Sequence, residues 1–313
     1  MIKPLTEIQK QRLQRLEPQL ENAIRENDLQ LAGRIVADIQ NMLRPTGHEM
    51  RLIQSKNKLF EAHLENGDYD FAISGFAGIQ QRINKNTRTY LESSVLLAIC
   101  YIRKKDIIAA EPIIREVLVN DKVIKSQSRR TAFRKRVIER FNEECILFGL
   151  RDEGFELLKI DEVDREVVKL MGLTEEEVYQ RLGEAVTYSA LNSLLRIDHY
   201  SKKQLPSAER KLIGAPLQKS DTPTVGKTLF GSVRRVLYKS ICDPDSEIYK
   251  TWFNNGMKVV LEKKFIVGAV VSILTGLGIG IKAIAISVVA LIIKFGIEVF
   301  CDRYKPGGIM ELR

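Results

Sequence analysis

The sequence predicts an all-α chain: stacked helical hairpins, then a helical C-terminal region with a hydrophobic hairpin. Three observations carry that expectation. Apolar residues recur at three- and four-residue steps, one such pattern returns three times before residue 120, and residues 265–293 hold a single charge, Lys282. At 313 residues, with 44% hydrophobic and 28% charged residues and 9 Pro, the chain is neither disordered nor fibrous.

The repeat is anchored by Asp28, Asp68 and Asp106. Four residues after each stands Ala32, Ala72 or Ala110, and four before stands Ile24, Leu64 or Ile102. Further on come Val36, Phe76 and Ile114, then Ile39, Ile79 and Val117. These offsets line one helical face. Each Asp stands where a helix restarts, so its carboxylate can accept from the free N–H groups of the new first turn. The small Ala lets two antiparallel helices approach, and each unit reads as a helix–turn–helix hairpin.

Leu97, Ala98, Tyr101, Asp106, Ala110, Ile114 and Val117, with Leu59, Gly67, Tyr69, Ala72 and Phe76 one unit earlier, resemble the tetratricopeptide repeat. The departures are the longer period, against about 34 residues in the family, and the absence of the family's Trp. The resemblance covers roughly residues 16–160, with a degenerate fourth hairpin expected through Ile146, Gly149, Gly154 and Leu158. It implies a stack that takes a peptide or protein on the face of its first helices. Asn27, His63, Asn66 and Tyr101 are the candidate contacts, unless they cap and pack the hairpins instead.

The middle of the chain offers no catalytic signature. Thr174-Glu175-Glu176-Glu177 is a capping box opening a helix toward Leu194. Lys202–Thr228, with Pro206, Pro216 and Pro223, reads as a linker loop. Within it Val225-Gly226-Lys227-Thr228 imitates a phosphate loop. That motif needs Gly where Asp221 stands, and a preceding strand, so a nucleotide site is rejected. His199 beside Asp198 lacks a nucleophile motif. No enzyme activity, cofactor or metal is expected. The four cysteines are far apart and form no C-x-x-C, which fits a reducing, intracellular setting. The polar N-terminus has no signal-peptide core.

The net charge of +9 is uneven. Lys122, Lys125, Arg129, Arg130, Arg134, Lys135, Arg136 and Arg140 crowd residues 120–140, and Lys263 and Lys264 end a second basic stretch. Both are candidate anionic-surface contacts: an anionic membrane, or less favourably nucleic acid, if not simply a solvated helix face.

The 265–293 segment, with Phe265, Val270, Gly276, Gly280, Lys282, Val289 and Ile293 as its markers, admits three structures. It forms a hairpin turning at Gly276–Lys282, one tilted span, or a buried helix pair. Lys258, Lys263, Lys264, Arg303 and Lys305 flank it, as do Trp252, Phe253 and Tyr304, the pattern of a hairpin entered from the cytoplasmic face. The expected division is therefore 1–163 repeat domain, 164–250 basic helical region, and 251–313 hydrophobic hairpin. The expected task is to hold a partner at the inner face of a membrane, or to act there. The latter layout is similar to pore-forming toxins and membrane-acting bacterial defence effectors. A soluble homo-oligomer or RNA-binding regulator with the hairpin as its core is the rival.

Overall fold

Helices account for all the regular structure in the computed structural model of the chain, which describes residues 3–243, 246, 249–250 and 263–303, and no strand occurs among them. Trp252, Phe253, Lys258, Tyr304, Lys305 and the Lys122 side chain lie outside the described part. The chain divides into two compact units, Met1–Ala132 and Phe133–Arg313.

The first unit holds α1 (Glu7–Arg25), α2 (Leu29–Leu43), α3 (Glu49–Glu65), α4 (Tyr69–Gln80), α5 (Arg88–Arg103) and α6 (Ile107–Val119). Each helix packs on the next, and α3 also packs on both α1 and α5. The turns α1–α2, α3–α4 and α5–α6 share one construction. Asn27, Gly67 and Lys105, each directly before the anchor Asp, adopt positive φ of 58, 87 and 61°. In each turn the Asp N–H reaches back to the carbonyl of Ala23, His63 or Tyr101, at 2.9 Å in all three. The N–H one residue earlier bonds Ile24, Leu64 or Ile102, which completes a Schellman closure. The Asp side chain then caps the new helix, accepting from the N–H of Leu31, Phe71 or Ala109. The repeated residues Ala32, Ala72 and Ala110 are fully buried, as are Phe76 and Ile114.

A left-handed residue other than Gly costs about 1–2 kcal/mol. Lys105→Gly is therefore expected to raise the stability of the first unit by up to about 1 kcal/mol, and Gly67→Ala to lower it by about 1 kcal/mol. Urea denaturation of both variants reads this directly; equal signs would refute the shared turn.

The second unit holds most of α7 (Gln127–Gly149) and then α8 (Ile160–Leu170), α9 (Glu175–Glu184), α10 (Tyr188–Lys203), α11 (Ser207–Ile213) and α12 (Thr222–Ile241). Beyond the undescribed stretch come α13 (Lys263–Gly276), α14 (Lys282–Phe295) and α15 (Ile297–Arg303). The expected fourth hairpin is absent here: Ile146 and Gly149 belong to the long α7, and 150–159 is irregular. The capping box at Thr174 is present, but its helix stops at Glu184, and Thr187 caps a separate α10.

The expected linker loop is largely helical. Pro206 caps α11, and Pro223 occupies the first turn of α12, where its missing N–H costs nothing. Residues 214–221 between them are pinned to α10: Lys202 donates to the Ala215 carbonyl and Leu217 N–H to Asp198, both at 2.8 Å.

Val225-Gly226-Lys227-Thr228 is helix interior. Gly226 faces Gly183, and a Cβ on either would overlap a backbone carbonyl of the other helix, Tyr179 or Thr222. Lys227 pairs with Glu176 at 2.7 Å. These glycines serve a close crossing of α9 and α12, and no phosphate loop exists.

The cysteines also depart from expectation. Cys242, closing α12, and Cys301 in α15 form a disulfide with Cα atoms 5.4 Å apart. It closes a loop over a sequence separation of 59, worth roughly 4 kcal/mol in the chain-entropy account. Spacing read locally hid this pair, because its partners meet only through the tertiary fold.

Candidate functional site

Two features stand out: the edge of the first unit formed by its three turns, and the apolar helix pair α13–α14 in the second.

Along the first unit, side-chain bonds join residues one repeat apart. Arg51 donates to Glu17 at 2.6 Å, Ser93 to Asn57 at 2.9 Å, and Lys104 to Asp70 at 2.6 Å. Arg103, buried, donates to the Leu64 carbonyl and to Glu65. Asn27 donates to Asn66 at 3.3 Å, so two of the expected contact residues meet across neighbouring turns. His63 bonds Asp68 at 2.9 Å and stacks 4.2 Å from the Phe71 ring, while Tyr101 is half-buried. Asn27, His63 and Asn66 thus lie at the turns, bonded to one another or to the anchor Asp68. What the sequence missed lies beside them. Leu31, Phe71 and Ile108, in the first turns of α2, α4 and α6, are exposed by 36, 46 and 73%. Leu31 and Phe71 stand three residues after their anchor Asp and Ile108 two after Asp106, so each hairpin carries one exposed apolar side chain in the first turn of its second helix.

A polar cluster joins the turn before α5 to α6 in this unit. Lys85 and the Tyr90 hydroxyl both donate to Glu116, at 2.9 and 2.7 Å. Burial works to raise the Glu116 pKa, but those two bonds outweigh it, and the carboxyl titrates below its ordinary value. A depressed folded-state pKa adds stability above the unfolded value of about 4.3 that is lost as pH falls. Glu116→Gln is therefore expected to destabilise the unit at pH 7, by a gap that shrinks as pH falls below the unfolded value. Paired urea titrations check this; a gap that widens at low pH would contradict it.

In the second unit α13 and α14 pack on each other, joined by residues 277–281. Each has 14 residues, about 21 Å, against the roughly 30 Å hydrocarbon core of a bilayer. No helix of the described residues is long and apolar enough to cross a membrane. Every residue from Ile284 to Ile292 is buried, Val289 fully, and so is Val270 of α13. Phe265 and Ile293 are half-buried, and Gly276 ends α13 in the open. α8, α9 and α12 supply the cover. At the turn, Gly278 accepts from Asp152 N–H at 2.9 Å, and Gly280 lies against the Glu156 backbone, where a Cβ has no room.

The pair's lysines are held at both ends. Lys282 pairs with Glu162 and Glu166 of α8 at 3.4 Å each, and Lys263 with Asp164 at 2.9 Å. Hydrogen bonds that Lys282 donates to those two carboxylates hold its pKa above the usual value. Lys294 donates to the carbonyls of Met171 and Leu173. Lys264 is exposed. Between α8, α9 and α14 runs an open groove of about 450 Å³, with Glu166, Lys169, Arg181 and Glu184 at its rim and Ala283 and Ser287 among its lining.

The basic run at 120–140 is partly consumed inside the fold. Arg130 donates to the carbonyls of Ile124 and Lys125, Arg134 is buried against Glu209, and Arg140 pairs with the buried Glu144 at 2.7 Å. Lys125, Arg129 and Lys135 remain exposed, with Arg136 half-buried. Asp198 is buried, bound by Asn142 at 2.7 Å and Lys202 at 2.9 Å, while His199 faces solvent, so the two make no acid–base pair. Among the described residues no group of three His, Cys, Asp or Glu is placed to hold a metal.

Comparison with protein-family models, with curated proteins and with solved structures finds no match to this chain.

Proposed function

We propose that this protein is a non-enzymatic helical-repeat interaction protein, whose first unit, a tetratricopeptide-like stack of three hairpins, receives a protein or peptide along its turn edge. The observation that carries the reading is the row Leu31, Phe71 and Ile108, one exposed apolar side chain per hairpin, on a scaffold fixed by three like turns. Exposed apolar side chains in the first turns of successive second helices suit a partner segment that presents apolar side chains of its own along one face. Peptide display against the full chain tests it. Selected peptides are expected to lose binding at least tenfold to Leu31→Ser and Ile108→Ser, with stability within about 0.5 kcal/mol of wild type, as at other exposed sites. Binders indifferent to both changes would refute the edge as the site.

A second reading keeps the membrane. In it the apolar pair is sheathed in the second unit and is released to the inner face of a bilayer by a trigger. The holding of Lys263, Lys282 and Lys294 by polar groups of α8 and the α8–α9 turn favours it, since charge-to-polar contacts at a rim open more readily than core packing. Membrane pellets washed with high salt and then alkaline carbonate test it; a protein that stays soluble under every condition that loosens the pair ends that reading. With Arg130, Arg134 and Arg140 engaged internally, nucleic-acid binding has the smaller surface.

A further inference from the structure

We infer that the Cys242–Cys301 disulfide is a redox latch on the apolar helix pair. The bond closes the chain around α13 and α14, which lie wholly within the loop it defines. Its anchors differ in kind. Cys242 ends α12, part of the cover of the pair, whereas Cys301 lies in α15, directly after α14. Five residues lie between Phe295, the last of α14, and Cys301, so with the 5.4 Å Cα–Cα span of the bond the far end of α14 stays within about 26 Å of the end of α12 while the bond exists. The same end is seated by the Phe295 ring, 5.9 Å from Phe230 of α12, and by the buried Ile297 and Phe300. Those contacts are apolar and local. The disulfide is the one cross-link among the described residues, and it tethers the far end of α14 to the end of α12.

The other thiols are built not to compete. Cys100 and Cys145 are buried thiols outside the disulfide, and burial pushes the Cys145 thiol up to about 12, where almost no thiolate forms at neutral pH. Cys301 is half-buried while Cys242 is buried, so an incoming thiolate reaches the Cys301 sulfur first. A dithiol reductant is the co-reactant. Its thiolate attacks Cys301 Sγ, the S–S bond breaks, and Cys242 leaves as thiolate and takes a proton. The second thiol of the reductant then displaces Cys301, yielding two protein thiols and the reductant's own disulfide, a two-electron exchange. Cut, the latch leaves α14 held by packing and by the lysine contacts alone.

The test uses the full chain and needs neither a membrane nor a partner, so it stands apart from the readings above. Hydrogen exchange is measured on oxidised protein and after reduction by a phosphine, with alkylation and mass analysis of each cysteine. Reduction is expected to make Cys242 and Cys301 alkylatable while Cys100 and Cys145 stay protected. It is also expected to speed exchange in 284–292 at least tenfold, with α1–α6 unchanged. Cys242→Ser with Cys301→Ser should show the fast pattern without reductant, and Cys100→Ser with Cys145→Ser should keep the response. Unchanged exchange in 284–292 after reduction would overturn the latch, as would equal acceleration along the whole chain or free thiols at 242 and 301 in the oxidised protein.

Discussion

Gly226→Ala is expected to lower the stability of the second unit by about 3 kcal/mol, although the same change at an open helical position gains up to about 1 kcal/mol from propensity. The two effects oppose each other, and the crossing decides. Gly226 and Gly183 face each other where α12 meets α9, and a methyl on Gly226 would fall on the Tyr179 carbonyl oxygen. Backbone cannot rotate aside as a side chain does, so the helices separate. Separation strips packing from Val178, Leu182, Val225 and Leu229, all buried, and loosens the aromatic contact of Tyr179 with Phe230. Gly183→Ala acts by the same route through the Thr222 carbonyl, and the double variant should cost less than the sum, because one displaced crossing accommodates both methyls. Urea denaturation followed by a probe in each unit reads the loss, with the first unit's transition unmoved. A Gly226→Ala protein more stable than wild type would mean that propensity wins and that the close crossing is wrong.

What the sequence conveyed was what local chemistry controls. The anchors Asp28, Asp68 and Asp106 bond within three residues of themselves, so their caps were readable from spacing alone. Thr174 and Glu177 form a capping box for the same reason. What escaped was whatever needs a distant partner. The sequence ruled out a phosphate loop at Gly226 but offered no role in its place, because nothing near it announces Gly183. Arg134 and Arg140 stand in a run that reads as an anionic-surface contact or a solvated face, yet Glu209 and Glu144 take them inside. Pro206 and Pro223 suggest a loop, yet Pro206 stands at the N-cap of α11 and Pro223 in the first turn of α12, where proline starts a helix. The candidate partner edge failed differently: Leu31 and Phe71 sit next to the repeat's core positions, and periodicity alone does not separate a core apolar residue from its exposed neighbour. Cys242 and Cys301 bracket the apolar segment in sequence, and that symmetry was the one available hint of their bond.

Val289→Lys distinguishes the two fates of the apolar pair. Val289 is fully buried in a helix whose residues from Ile284 to Ile292 are all covered, so a lysine there has neither water nor a carboxylate within its own stretch of helix. An unpaired ammonium in such a site costs several kcal/mol, comparable to the whole stability of a domain of this size. If the pair is core, the second unit is expected to lose its cooperative transition and the chain to aggregate, while Ser272→Lys, on the exposed face of α13, is nearly neutral. If the pair is instead a sheathed membrane segment that leaves its cover readily, the lysine variant would remain folded and soluble and lose only its membrane pellet. Val270→Lys on the other arm, equally buried, should follow whichever fate Val289→Lys takes. The decisive quantity is the second unit's melting transition, and the covered faces of α14 predict that it disappears, because helices apolar all round are stable in water only while their neighbours hold them.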